Sequence, residues 1–220
     1  MLILHHLEQS RSFRILWALE ELGLDYRIQF YRRLPNFSGP PELKAAHPLG
    51  KAPVLTDGGQ GIAESAVILQ HLQESYDAAG LFKPADASAR QQYRYWMHYA
   101  EASLMPLLVM QLVMNNAPQH APWLIRPVAR KISAGVKAGF VQPRLKDHIE
   151  FLEGYLAEHD YFAGQFSFAD IQMSFPLQAL QLRSPGKYPH IQAFLQRISS
   201  RPAFQQALRK EQALERNQLP

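Results

Sequence analysis

The sequence predicts an α/β N-terminal domain followed by an all-α-helical domain. Two observations carry that division. The first third alternates period-2 and period-3.6 apolar patterns, whereas past residue 88 the helical period runs on almost unbroken. The third observation is a Gly-Gly pair between two short apolar runs, which marks a hairpin and gives the sheet an antiparallel half.

Leu2-Ile3-Leu4 has the length of a buried strand. After Ser10 the period changes: Ile15, Leu19 and Leu22 fall on one helical face, and Gly23 stands where a C-terminal cap belongs. Tyr26, Ile28 and Phe30 alternate with Arg27 and Gln29, a half-buried strand. Strand, helix and strand within thirty residues imply a right-handed crossover between parallel strands. Asn36 to Pro48 reads as a loop. Val54-Leu55-Thr56 and Gly61-Ile62-Ala63 then flank Asp57-Gly58-Gly59-Gln60, and Glu64-Ser65 opens a second helix. The order βαβ then ββα is that of a thioredoxin-like domain.

We place that domain at residues 1–78, a linker rich in small residues at 79–88 and the helical domain at 89–220. The first long helix is expected from Ala89 to Met114 with a bend at Pro106, and a loop from Asn115 to Pro127. A second long helix covers Pro127 to Glu158, bent near Pro143; a third begins after Ser167, and a last pair surrounds Pro189 and Pro202.

Composition narrows the functional classes. The net charge is +4, and the densest basic stretch (Arg126, Arg130, Lys131, Lys137) lacks interleaved aromatics, so no nucleic-acid partner is expected. Cysteine is absent, which rules out disulfides, zinc–cysteine sites and a protein thiol nucleophile, and agrees with a reducing cytoplasm. The most apolar stretch, Leu104 to Met114, is far short of the ~20 residues that cross a bilayer, so no membrane partner is expected. The amino terminus has too short an apolar run for a signal peptide. No metal is expected: the nine histidines lack ligand spacing, and adjacent His5 and His6 on a strand face opposite sides. Gly58-Gly59-Gln60-Gly61 lacks the lysine of a phosphate loop, and there is no Gly-x-Ser-x-Gly elbow.

Three small features carry chemistry. Ser10 precedes the first helix, where a serine serves either as an N-cap or as a hydroxyl donor to a thiolate held at the helix's positive end. Arg11 and Arg14 add positive charge there. Lys51-Ala52-Pro53 enters the third strand; a proline there is either a rigid turn or, when cis, the device that leaves Ala52 free to pair with an extended peptide. Glu64-Ser65 is either a plain helix start, with Ser65 as its cap, or a receptor for an amino-acid end. In the second reading the Ser65 hydroxyl and first-turn N–H groups take the carboxylate, and Glu64 takes the amine.

In that order and spacing, these features resemble the cytosolic glutathione S-transferase family, most closely its serine-type bacterial and fungal members. The matching text is SRSFRILWALEELGLDYR, HPLGKAPVL and AESAVILQHL in the first domain, with FSFADIQMSFPL and YPHIQAFLQRISSRPAFQQAL in the last third. The resemblance implies glutathione as co-substrate, with Ser10 activating its thiol and Ser12 as the alternative. Ala52, flanked by Lys51 and Pro53, binds the cysteinyl backbone, and Glu64–Ser65 holds the γ-glutamyl end. Ser167 and Asp170 form a structural capping box. A small electrophile is expected between the domains, with Tyr99, Ser103 and Met110 as candidates, and the assembly is expected to be a homodimer. Lowering a thiol pKa from ~8.5 towards ~6.5 takes about 2.7 kcal/mol, within reach of one charge-assisted bond at a helix start. The rival readings are a non-catalytic partner-binding module and a glutathione-dependent peroxidase or isomerase.

Overall fold

The computed structural model describes residues 1–184 and 186–216; Pro185 and the last four residues of the expected helical domain lie outside them. Four strands form one sheet in the order β2-β1-β3-β4. β1 (Leu2–Leu7) and β2 (Tyr26–Tyr31) are parallel, with Leu2 opposite Tyr26 and Leu7 opposite Tyr31. β3 (Val54–Asp57) runs antiparallel to β1, pairing Leu4 with Leu55, and turns back into β4 (Gln60–Ala63). Both turn glycines have positive φ, 56° at Gly58 and 91° at Gly59, which suits the tight turn that right-twisted strands demand.

Helix α1 (Ser12–Glu21) makes the crossover between β1 and β2. It ends as Gly23 predicts: Gly23 at φ 61° donates to Glu20 O, and Leu24 N–H reaches Leu19 O. The single apolar face read from Ile15, Leu19 and Leu22 is an understatement. Arg14 through Leu19 are all buried, because β1, α2, α7 and α9 all pack against α1. α2 (Ser65–Tyr76) follows β4.

The helical half begins earlier than expected. α3 (Ala87–Tyr99) starts inside the segment read as linker, capped by Asp86, whose side chain accepts from Ala89 N–H at 2.8 Å. The segment before it is pinned: the Asp77 carboxylate takes the N–H groups of Leu81 and Phe82, and the Phe82 ring stacks on Phe168 at 4.9 Å. A π-helical turn (Ala100–Leu104) joins α3 to α4 (Met105–His120), and a second (Lys137–Val141) joins α5 (Arg126–Val136) to α6 (Gln142–Glu158). Each turn lies just ahead of a proline, Pro106 or Pro143. Widening the helix there accommodates a ring that would otherwise strike the preceding turn. The loop expected from Asn115 is instead helix as far as His120, with Pro118 inside the last turn at the cost of one i→i−4 bond, and the helix stops within a few residues of it.

α7 (Phe168–Arg183) is the central helix of this half, buried from Phe168 to Ser174. The expected capping box is present: the Asp170 carboxylate accepts from Ser167 N–H at 2.8 Å and Ser167 Oγ at 3.0 Å, and also from Phe162 N–H at 2.9 Å. α8 (Pro189–Ser199) and α9 (Pro202–Arg216) return the chain to the first domain. There Phe204 meets Trp17 edge-on at 5.0 Å, and Arg201 grips Glu21 of α1 through two bonds of 2.6 and 2.8 Å. Among the described residues no helix is long and apolar enough to cross a membrane, and no group of three or more His, Cys, Asp or Glu is placed to hold a metal.

Candidate active site

The end of β1 drops the chain onto the start of α1, and this junction gathers the polar groups. Arg11 occupies the N-cap position without a capping side chain, so Ser10 lies one residue ahead of the place predicted for it. Its Oγ nevertheless accepts the Ser12 N–H at 3.2 Å, one of the orphan donors of the first turn. The Ser10 and Ser12 hydroxyls are 2.7 Å apart. They differ in access: Ser12 is 0% exposed and Ser10 7%. Ser12 is enclosed by Leu7 N–H and C=O, both at 3.2 Å, and by His6 Nδ1 at 3.0 Å.

α2 repeats the pattern one strand away. Glu64, not Ser65, takes the N-cap position, at φ 69° and ψ 120°, a strained geometry for a residue with a Cβ. That backbone turns the Glu64 side chain outward and leaves Ser65 as the first helical residue, buried, with its hydroxyl turned towards α1. Arg14 Nη2 donates to Ser65 Oγ at 2.8 Å, which leaves the Ser65 proton available to an acceptor.

Arg14 ties these starts to the helical half. It is fully buried, and besides Ser65 it donates to Glu101 Oε1 at 2.7 Å and to the Gln172 carbonyl at 2.9 Å. Burial lowers its pKa to about 10, the charge and hydrogen bond of Glu101 working the other way, so it stays protonated at neutral pH. Glu101 lies in the first π turn and also takes Arg11 Nε at 2.9 Å. Burial pushes its carboxyl up, but Arg11 and Arg14 outweigh this and hold it below the usual carboxylate range. The Phe175 ring lies 5.2 Å from the Arg11 guanidinium and 5.3 Å from that of Arg14.

Ala52 and Pro53 precede β3, joined by a cis peptide bond, with Ala52 two residues outside the strand ladder. Lys51 beside them is exposed. Across the domain boundary, Arg11 and Glu101 form the polar rim of a cleft of about 490 Å³, whose other walls are Met105, Pro106, Val109, Met110 and Val113. Of the three residues expected to face an electrophile, Met110 lines this cleft. Ser103 sits in the π turn, away from the lining. Tyr99 is core: its phenol pairs with His148 and its ring packs against Trp96 and Phe151. Arg11 and Pro106 were read only as helix-start charge and as a bend, and Glu101, Met105, Val109 and Val113 were missed; the apolar ones repeat every three or four residues, but that period does not say which face is open.

A four-stranded mixed sheet joined to an all-helical half, with an apolar cleft where Arg11 meets α4, is the two-domain architecture the sequence predicts. The family model described as "Glutathione S-transferase, N-terminal domain" matches residues 1–74, and that of the "C-terminal domain" matches residues 137–202. Glutathione S-transferase 3 of Schizosaccharomyces pombe is 38% identical over 96% of this chain and 88% of its own length. Glutathione S-transferase 1 of Saccharomyces cerevisiae is 34% identical over 97% and 96%. A glutathione S-transferase crystal structure from Actinobacillus pleuropneumoniae aligns with TM-score 0.78 and 34% identity over 96% of this chain and 93% of that one. The chain belongs to the glutathione S-transferase family, and its activity is glutathione transfer.

Proposed function

We propose that this protein activates the glutathione thiol through Ser10, in the manner of the serine-type members, for attack on an electrophile seated in the cleft between Arg11 and Val113. The observation that carries this reading is the Ser10–Ser12 hydroxyl pair, 2.7 Å apart at the start of α1 and one residue from the cleft wall. Ser10 is favoured over Ser12 because Ser12 is enclosed on every side, whereas Ser10 retains access.

In this reading glutathione lies along the strand ends of the first domain. Its γ-glutamyl carboxylate takes the Ser65 hydroxyl and the first N–H groups of α2, and its amine pairs with Glu64. Its cysteinyl backbone bonds to Ala52 as an added strand would, with Pro53 setting the bend and Lys51 flanking it. The thiol then reaches Ser10, and the Ser10 hydroxyl together with the positive end of α1 stabilises the thiolate. Attack joins sulfur to the electrophile, whose apolar body rests on Met105, Val109 and Met110. The division into 1–78 and 89–220 is retained in this reading, with the first turn of α3 reaching back to Ala87 in the 79–88 linker, and a cytoplasmic homodimer in detoxification is the working setting. The exposed residues Trp123, Leu124, Ile125, Val128 and Ile132 offer unpaired apolar surface for subunit contact, and sedimentation equilibrium decides the oligomeric state.

The test pairs binding with turnover. Glu64→Ala and Ser65→Ala should each weaken retention on immobilised glutathione by about tenfold, and Ser10→Ala should retain binding while losing conjugation of an activated aryl halide. Full retention in both α2 variants would overturn the placement of the γ-glutamyl end. A wild-type enzyme that reduces peroxide but conjugates nothing would replace transfer with peroxidase chemistry.

A further inference from the structure

We propose that Ser10, Ser12 and His6 form a proton relay that carries the glutathione thiol proton to the buried face of the sheet, where Glu211 of α9 offsets the charge it brings. The inference rests on the reading above, that Ser10 meets the thiol.

The path is continuous in the structure. Ser10 Oγ lies 2.7 Å from Ser12 Oγ, which lies 3.0 Å from His6 Nδ1. His6 is wholly buried on β1, its ring stacked on Phe30 at 5.8 Å. Its Nε2 stands 3.1 Å from Glu211 Oε1, close enough for a charge pair though not aligned as a hydrogen bond. Satisfying Ser12 does not require this arrangement. Leu7 alone supplies Ser12 with one donor and one acceptor, so the alignments to His6 and Ser10 are additional. They give the Ser12 proton three acceptors to choose from: Leu7 C=O, His6 Nδ1 and Ser10 Oγ. A hydroxyl with that choice can pass a proton through.

Before transfer, neutral His6 carries its proton on Nε2, on the side where Glu211 stands. Ser12 donates to Nδ1, Ser10 donates to Ser12, and the thiol donates to Ser10. Transfer moves each proton one place along. The S–H bond breaks, Ser10 gains the thiol proton and passes its own to Ser12, and Ser12 passes its own to Nδ1. One S–H bond is lost, one N–H bond is gained, and both hydroxyls are regenerated. Every donor now points back towards the thiolate, and the imidazolium faces Glu211. No co-reactant is needed. His6 touches no substrate; it is a positioning and proton-holding residue acting through two serines.

Glu211 of α9 is the charged group against the His6 ring, and a neighbouring cavity gathers Glu215 of α9, Glu8 just past β1, Arg32 and Arg216, with Gln212. Burial and the charges of Glu211 and Glu8 push the Glu215 carboxyl up, with His6 pulling it down, as expected of groups sharing one field.

The test counts protons. Calorimetry of glutathione binding at pH 7, in two buffers of different ionisation enthalpy, gives the protons released; ultraviolet difference absorbance gives the thiolate formed. S-methylglutathione, which has no thiol proton, supplies the blank. The wild-type protein should release fewer than about half a proton per thiolate, because His6 keeps it. Ser12→Ala should form at least about threefold less thiolate and release a full proton for each one formed. Glu211→Gln, a milder change at the edge of the core, should shift the count towards full release. One proton released per thiolate by the wild type overturns the relay and leaves Ser10 as the donor, and that measurement needs no variant. Ser10→Ala with unchanged thiolate overturns the relay and the underlying reading together.

Discussion

The two walls of the site are built in opposite ways. The wall at the starts of α1 and α2 is polar and internally bonded in two clusters: Ser10 and Ser12, with hydroxyls 2.7 Å apart and the Ser12 N–H at 3.2 Å, and Arg14, which holds Ser65 at 2.8 Å and Glu101 at 2.7 Å. The wall on α4 is apolar and unpartnered, with Met105, Pro106, Val109, Met110 and Val113 making no polar contact across the cleft. Directional bonds hold a ligand in one pose, whereas apolar walls accept any shape of about the right size. The contrast suits a constant co-substrate on one side and a variable electrophile on the other.

Breaking the polar wall should cost most. Arg14→Ala strips a buried cation from Ser65, Glu101 and the Gln172 carbonyl, and should lower unfolding free energy by about 3–5 kcal/mol in urea denaturation. Arg14→Lys should recover little, since one ammonium cannot reach all three acceptors.

Glu101→Gln should cost less, about 1–2 kcal/mol at pH 7, because that carboxylate is partly open to water. The sign of its pH dependence follows from the depressed carboxyl. Its contribution is fully present above the unfolded-state value and fades as pH falls through the lower folded-state value. The stability curves of wild type and variant should therefore converge on acidification; parallel curves would mean that Glu101 does not titrate against Arg11 and Arg14.

The apolar wall should respond in the opposite way. Met110→Ala and Val109→Ala should change stability by less than about 1 kcal/mol, since both residues are part-exposed. They should raise KM for an apolar electrophile by about three- to tenfold and leave KM for glutathione unchanged. A matching rise in KM for glutathione would erase the division of labour.

What the sequence revealed follows the same contrast. Features held by local geometry were legible: Gly23 ending α1, Gly58-Gly59 turning the hairpin, and the Ser167–Asp170 capping box. Features held by distant partners were not. Arg14 sits on a helix whose periodicity marks charged residues as surface, and its bonds reach positions 65, 101 and 172. Tyr99 and Met110 show the same helical spacing, yet one faces the aromatic core and the other the cleft. Pro106 and Pro143 marked interruptions of the two long helices, but the form those take, a π turn ahead of each proline, was not readable, because it depends on how the helix relaxes around the ring.

The central claim is that Ser10 lowers the pKa of a bound thiol. The direct measurement is a pH titration of the thiolate absorbance of bound glutathione in wild type and in Ser10→Ala. The wild-type midpoint should lie near ~6.5, and Ser10→Ala should return it towards the ~8.5 of a free thiol. Equal midpoints in the two proteins would contradict the account.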